Sequence, residues 1–179
     1  MKRNHIITLT ICLLISVKLS LGQDRFKPLV IGDTIPNLEF KQVINYEREN
    51  LKLTDFNGKV IILDFWNTWC KACLSSFPKL ERLKEQYENE VEIILVVNDE
   101  ATKNEKYLDF FRKRAEEGSP ITLTCIIDGG DLVDLFPHKS IPYVVWISRS
   151  GVVKKFSQGK ELNSDGIREI LQTTEKNKL

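Results

Sequence analysis

The hydrophobic and polar positions of this 179-residue chain follow two patterns, one typical of buried strands and one typical of amphipathic helices. Short, nearly continuous apolar runs predict buried strands. These runs cover Lys59–Phe65, Val91–Val97, Leu123–Ile127, Tyr143–Ile147 and Val152–Phe156. Two further short strands, Leu38–Ile44 and Asn50–Leu53, are joined by polar residues and predict an N-terminal β-hairpin.

Apolar residues that recur every three or four positions predict helices between these strands. The first helix carries its apolar side chains at Leu74, Phe77, Leu80, Leu83 and Tyr87. Pro78 removes one backbone donor from that helix and should kink it. A capping box at Thr102–Glu105 opens the next helix, Asp131–Phe136 reads as a helical turn, and Asn163 or Ser164 caps the last helix. This order predicts an α/β fold, with a central mixed β-sheet flanked by helices and an extra N-terminal β-hairpin.

The N-terminus has the features of a secretory signal. Two basic residues precede the apolar run Ile6–Val17, and the small residues of Ser20–Gly22 suit cleavage by signal peptidase. We therefore expect residues 1–22 to be a signal peptide and residues 23–179 to be one domain. The protein would be exported, to the bacterial periplasm. The alternative is an uncleaved N-terminal anchor facing the same compartment, although the apolar run is short for a membrane span.

Charge and cysteine usage narrow the class of protein. The formal net charge of +1 gives no general case for nucleic-acid binding. Loss of the signal would remove Cys12 and leave Cys70, Cys73 and Cys125, which is one close pair and one odd cysteine. That count does not fit a disulfide-stapled scaffold. Cys125 lies in an apolar strand, where a buried structural thiol is favoured over a regulatory or intermolecular disulfide.

Cys70 and Cys73 stand two residues apart, where a buried strand gives way to a helix. The backbone N–H groups and the macrodipole at a helix N-terminus favour a thiolate on Cys70, and Cys73 is close enough to form a disulfide with it. The pair therefore predicts a redox centre that needs no other cofactor. A structural zinc site is the alternative, but it would need four ligands. After the signal, the only further candidate ligands are Cys125 and His138, which do not have the spacing of a ligand pair.

The segment D-F-W-N-T-W-C-K-A-C-x-x-x-x-P, over Asp64–Pro78, resembles the redox motif of thioredoxin-fold proteins. Ile141 and Pro142, placed before the strand Y-V-V-W-I, resemble their cis-proline loop. The exported context and the extra N-terminal strands make the chain similar to the TlpA/ResA-like thiol–disulfide oxidoreductases. The resemblance covers roughly residues 31–172 and implies a thioredoxin-like fold.

The resemblance also implies roles for individual residues. Cys70 would be the exposed nucleophile that attacks a substrate disulfide, and Cys73 the buried thiol that resolves the mixed disulfide. Pro142, in cis, would pack against the pair, while the backbone of Ile141 would pair with an incoming peptide. Trp69 would shape the substrate groove.

Asp64 stands six residues before Cys70, where classical thioredoxins carry a buried aspartate. Desolvation there should raise the pKa of its carboxyl, so that it could accept the proton of Cys73. The alternative is a strand-end aspartate that faces solvent or caps a loop. Many TlpA/ResA-like proteins carry a glutamate three residues after the second cysteine, where this chain has Ser76. A serine cannot act as that base, so the family's usual proton route is in doubt and Asp64 is the better candidate.

The function that the resemblance implies is reduction of protein disulfides outside the cytoplasm, by a monomer that a membrane thiol carrier recharges. A disulfide donor is one alternative, because Lys71 adds positive charge beside Cys70. A non-catalytic binding or chaperone module is another. A peroxidase would need Pro-x-x-x-Thr-x-x-Cys, but Leu63 and Asn67 occupy the proline and threonine places. His138 could approach and tune the redox pair or could lie in a surface loop.

Overall fold

A computed structural model describes residues 26–98 and 104–175. The predicted signal peptide, Cys12 and the Thr102 end of the predicted capping box lie outside the described residues. Within the described ranges, no helix is long and apolar enough to cross a lipid bilayer.

Eight strands and four α-helices make up the described chain. The strands are β1 (Glu39–Phe40), β2 (Val43–Ile44), β3 (Leu51–Lys52), β4 (Val60–Trp66), β5 (Val91–Val97), β6 (Thr124–Ile126), β7 (Tyr143–Ile147) and β8 (Val153–Gln158). The helices are α1 (Lys71–Gln86), α2 (Asn104–Glu116), α3 (Gly130–Leu135) and α4 (Ser164–Glu175). Short 3₁₀ turns cover Leu53–Phe56 and Gly159–Glu161.

Six of these strands form one mixed sheet in the order β2-β6-β5-β4-β7-β8. The β4–β5 and β5–β6 pairs are parallel, and the other pairs are antiparallel. Every residue of β4 and β5 is buried, because helices or loops cover both faces of the sheet centre. That burial explains why these strands read as continuous apolar runs. The predicted central mixed sheet flanked by helices is confirmed, and the fold is thioredoxin-like.

The N-terminal hairpin is confirmed, although the predicted strand Leu38–Ile44 is divided between two sheets. Its first half, β1, pairs antiparallel with β3, while its second half, β2, pairs with β6 at the edge of the central sheet. Between them, the Lys41 N–H donates to Asp128 Oδ2 at 3.0 Å, and the Gln42 carbonyl accepts from the Ile127 N–H at 2.8 Å. These bonds turn the backbone from one sheet to the other.

The side chains of β4 alternate between the two faces of the sheet. Ile61, Leu63 and Phe65 pack into one apolar cluster with α3 and the N-terminal segment. Val60, Ile62 and Trp66 pack into the other cluster, beneath α1, α2 and α4. Asp64 falls between Ile62 and Trp66 in this second series, so its carboxyl belongs to the face that α1 covers.

Helix α1 begins directly after a tight turn that follows β4. In that turn, the Cys70 N–H donates to the Asn67 carbonyl at 3.0 Å. The helix buries the positions that the sequence periodicity indicates, which are Cys73, Phe77, Leu80 and Leu83. It continues through Pro78 to Gln86. Trp66 lies edge-on to Phe77, with ring centroids 5.1 Å apart, and so packs the end of β4 against this helix.

Candidate active site

Cys70 and Cys73 form a disulfide at the N-terminus of α1, with their Cα atoms 5.3 Å apart. Cys70 is the N-cap residue, and its Sγ accepts a hydrogen bond from the Cys73 N–H at 3.2 Å. The first N–H groups of a helix lack intrahelical partners and carry the positive end of the macrodipole. Cys70 is 6% exposed and Cys73 is 0% exposed. A group arriving from solvent therefore meets the Cys70 sulfur first.

Asp64 is a buried carboxyl on the sheet face that α1 covers. The residue is 1% exposed, and its Oδ1 has no hydrogen-bond partner. Burial raises the pKa of Asp64 to about 7, and the positive charge of Lys79 opposes this rise. The carboxyl therefore does not face solvent, and a pKa near 7 suits a proton acceptor at neutral pH.

The loop before β7 lies at the same end of the sheet as the cysteines. The Ile141–Pro142 peptide bond is cis. Tyr143, the next residue, pairs with Phe65 of β4 in the sheet register, which brings Pro142 level with the end of β4. Gly159, just after β8, abuts this proline, because a Cβ on the glycine would come within 2.9 Å of Pro142 Cγ.

Trp69 is the large apolar side chain beside the disulfide that reaches solvent. It is 67% exposed, although its neighbour Cys70 is almost buried. Trp66 differs from it, since that ring is fully buried in the cluster beneath α1. Trp69 thus offers an apolar platform next to the sulfur that an incoming group meets first.

His138 lies on the other side of the sheet from α1. Its ring stacks on Tyr143 with centroids 4.6 Å apart and lies 4.7 Å from the Phe65 ring. The His138 Nδ1 also lies 2.7 Å from the Phe136 carbonyl oxygen. The histidine therefore packs in the aromatic cluster beneath the sheet and does not face the helix that carries the disulfide.

Two other residues noted in the sequence are engaged elsewhere. The Ser76 hydroxyl donates to the Cys73 carbonyl oxygen at 2.6 Å, so it satisfies the helix backbone. Cys125 is a free, fully buried thiol, and burial raises its pKa to about 12.

Across residues 26–98 and 104–175, no three His, Cys, Asp or Glu side chains cluster as a metal ion would require.

Sequence reasoning missed two residues of this region. Gly159 packs against Pro142, and Lys79 lies near Asp64 and donates from Nζ to the Gly159 carbonyl at 3.5 Å. The only signal for Gly159 is its place at the end of the last strand. Nothing in the helical pattern distinguishes Lys79 from the other lysines of α1.

A disulfide at a helix N-terminus, beside a proline loop on a mixed sheet, defines the class of thioredoxin-fold dithiol proteins. A family model described as thioredoxin-like matches residues 57–153. The thiol-disulfide oxidoreductase ResA of Bacillus thuringiensis subsp. konkukian (strain 97-27) is 31% identical over 171 residues, covering 90% of this chain and 92% of the relative. ResA of Oceanobacillus iheyensis is 26% identical over 159 residues, covering 88% of this chain and 80% of the relative.

Solved structures of thioredoxin-like proteins share this fold. A crystal structure described as a thiol:disulfide interchange protein DsbE from Chlorobium tepidum superposes with a TM-score of 0.61 at 25% identity, covering 82% of this chain and 95% of that one. The exposed lipoprotein thioredoxin Etrx1 of Streptococcus pneumoniae shares the fold, with a TM-score of 0.60 at 24% identity over 79% of this chain and 99% of that one. The chain belongs to the TlpA/ResA-like thiol–disulfide oxidoreductases of thioredoxin fold. This membership favours an enzyme over a non-catalytic binding module.

Proposed function

We propose that this protein reduces disulfide bonds of other proteins outside the cytoplasm, through Cys70 and Cys73. One observation supports the step in which Cys73 resolves the mixed disulfide. A carboxyl with an unpartnered oxygen, that of Asp64, lies on the sheet face covered by the helix that buries Cys73. When a substrate is reduced, the buried Cys73 thiol must lose a proton, and Asp64 offers a proton acceptor on that face. The same group would return the proton in the reverse reaction, so the direction itself rests on the resemblance to the family.

In the first step, the thiolate of reduced Cys70 attacks one sulfur of the substrate disulfide. A bond forms between Cys70 Sγ and that sulfur, and the substrate S–S bond breaks. The other substrate sulfur leaves as a thiolate and takes a proton from water. The Cys73 N–H, which donates to Cys70 Sγ, stabilises negative charge on the attacking sulfur.

In the second step, Cys73 gives its thiol proton to the Asp64 carboxylate and attacks Cys70 Sγ. The mixed disulfide breaks, the Cys70–Cys73 disulfide forms, and the second substrate sulfur leaves as a thiolate that is protonated from water. The substrate has gained two electrons, and the two cysteines have lost them. A dithiol donor must then reduce the pair again, and we infer that a membrane thiol carrier does so.

The substrate peptide would lie along the proline loop. Pairing of β7 begins at Tyr143, so the backbone of Ile141 precedes the ladder and can pair with an extended peptide. Pro142 would form one wall of the groove, and the exposed ring of Trp69 would cover apolar side chains of the substrate. We infer that a single chain is sufficient for this chemistry.

Export would follow from residues 1–22, as a cleaved signal or as an anchor.

The opposite direction of the reaction, donation of a disulfide to a substrate, is favoured by one observation. Lys71 is exposed next to Cys70, and its charge stabilises the reduced thiolate, which makes the disulfide a stronger oxidant. Because that charge is solvated, its effect on the potential is small.

Reduction of insulin disulfides by the protein, with dithiothreitol as the electron source, tests the proposal. Wild type should accelerate insulin precipitation, and Cys70→Ser should not. Cys125→Ser is the matched control, since it removes the free thiol that is not part of the disulfide, and it should retain activity. Equal rates for wild type and Cys70→Ser would reject the proposal. A Cys73→Ser variant should accumulate a mixed disulfide with its substrate, which dithiothreitol releases for identification.

A further inference from the structure

A groove between α1 and α2 begins beside the redox pair. Two cavities of about 290 and 250 Å³ form it, and they share Phe77, Arg114 and Ile121 as lining residues. The first cavity is also lined by Leu74, whose N–H donates to the Cys70 carbonyl oxygen at 3.0 Å. The groove therefore starts one helical turn from the sulfur that an incoming group meets first.

This groove lies on the other side of β4 from the proline loop. In the sheet order, β7 follows the loop and neighbours β4 on one side, while β5 and then β6 lie on the other side. Ile121 comes shortly before β6, and the second cavity extends along α1 to Pro78 and Glu81. A bound protein can thus contact the proline loop and the groove together, on two flanks of Cys70.

The groove has an apolar lining that continues into the packing of the active-site turn. Phe77 and Ile121 are buried, whereas Leu74 and Phe110 are half-buried. The Phe110 and Trp66 ring centroids are 5.6 Å apart, and Trp66 also packs edge-on against Phe77. An apolar side chain that enters the groove would therefore meet surface that is already fixed by its own packing.

A positive charge stands in the middle of this apolar groove. Arg114 lines both cavities, and its Nη1 lies 3.8 Å from a carboxylate oxygen of Glu117, a largely exposed side chain. An exposed pair at this distance contributes little, so the guanidinium can accommodate a second carboxylate. Glu81 lines the second cavity alone, and its Oε1 accepts from the Thr122 N–H at 2.8 Å and from the Thr122 hydroxyl at 3.3 Å. A carboxylate on a ligand is therefore complemented at Arg114.

We propose that the groove binds a segment of the substrate protein that carries an apolar side chain and a carboxylate near its reactive cysteine. This inference rests on the proposed function, because it names the chemistry of the substrate that Cys70 attacks. Helix geometry places Leu74 about 6 Å and Phe77 about 10 Å beyond Cys70 along α1. An extended chain advances about 6.6 Å for every two residues, and alternate side chains share one face. The apolar residue would therefore stand two positions from the substrate cysteine, and the acidic residue four positions from it, within reach of Arg114.

The first arm of the test measures how fast the reduced full-length protein attacks synthetic peptides whose single cysteine is linked to thionitrobenzoate. Attack by the Cys70 thiolate on the peptide sulfur forms the mixed disulfide and releases the coloured thionitrobenzoate anion. The peptides have the same residues on both sides of the cysteine, so that either chain direction can bind. Leucine at the second position and aspartate at the fourth should give a rate about tenfold above that with lysine at the fourth. Serine in place of leucine should cost about tenfold.

Charge variants of α2 decide whether the preference comes from the groove. Arg114→Glu should reverse the preference for aspartate over lysine, and Arg114→Gln should abolish it. Arg112→Glu is the matched control, because it makes the same change of charge two residues away, on a different face of the helix. This control should keep the wild-type preference.

The second arm traps Cys73→Ser as a mixed disulfide with each peptide and records methyl ¹³C NMR spectra. The methyl signals of Leu74 and Ile121 should shift with the leucine peptide and stay in place with the serine peptide. Equal rates for the aspartate and lysine peptides in wild type, or unmoved methyl signals, would overturn the inference. A protein that shows the peptide preference but does not reduce insulin disulfides would instead overturn the proposed function, and the assignment of the groove would stand.

Discussion

Replacement of Asp64 by asparagine should change how the stability of the protein depends on pH. The carboxyl is 1% exposed, and burial raises its pKa from 3.8 to about 7. Between about pH 4 and pH 7, the folded chain therefore binds more protons at this site than the unfolded chain does. Linkage then requires the free energy of unfolding to fall as pH rises through this window.

The size of the effect follows from the shift. The pKa of Asp64 rises by about three on folding, and each pKa unit is worth about 1.4 kcal/mol. The free energy of unfolding is therefore about 4 kcal/mol lower above pH 7 than below pH 4. Asparagine has nearly the same shape and does not ionise. The stability of Asp64→Asn relative to wild type should therefore improve by about 4 kcal/mol between about pH 4 and pH 8.

Urea unfolding of the oxidised protein at several pH values measures this difference, provided that the m-value stays constant. Asp134→Asn, on the exposed side of α3, is the matched control, and its difference from wild type should change little with pH. A difference for Asp64→Asn that is equal at about pH 4 and pH 8 would refute the assignment of a buried, titrating carboxyl. In the reductase reaction, the same variant should resolve the mixed disulfide about 10²-fold more slowly at neutral pH, as loss of a general base does.

Three further predictions concern Trp69, Gly159 and Cys125. Trp69→Ala should raise KM for a protein disulfide about tenfold, because an aromatic anchor is lost, and should leave stability within about 0.5 kcal/mol of wild type. Gly159→Ala should displace Pro142 and cost about 1–3 kcal/mol of stability together with activity, while Gly130→Ala, whose Cβ meets nothing within 4 Å, should do neither. Cys125 should resist alkylation in the native protein and react once urea unfolds it, as peptide mass spectrometry would show.

Each of these predictions has an outcome that would contradict it. An unchanged KM in Trp69→Ala would remove the tryptophan from the substrate groove. Full activity in Gly159→Ala would mean that the proline loop tolerates a methyl group there. Rapid native alkylation of Cys125 would place that thiol at the surface.

The sequence was sufficient to predict the buried strands and the redox pair, for physical reasons. Strands covered on both faces read as continuous apolar runs, and β4 and β5 are covered in this way. The N-terminal position of Cys70 on α1 follows from local spacing, since a strand, a short turn and a periodic helix succeed one another over few residues. Local patterns of this kind need no knowledge of the tertiary structure.

Contacts between distant segments were not predictable in the same way. The division of Leu38–Ile44 depends on Asp128, which is far along the chain and accepts from the Lys41 N–H. Lys79 has the pattern of a solvated helix residue, yet its Nζ bonds to the carbonyl of Gly159. Neither partner can be identified from periodicity, because both contacts arise only when the helix and the strands have packed.

The reduction potential of the Cys70–Cys73 pair, measured by equilibration with glutathione buffers, tests the central claim most directly. If the protein is a reductant of protein disulfides, the potential should lie near that of thioredoxin, at about −270 mV. A value near that of a strong disulfide donor, at about −120 mV, would contradict the proposed direction of electron flow.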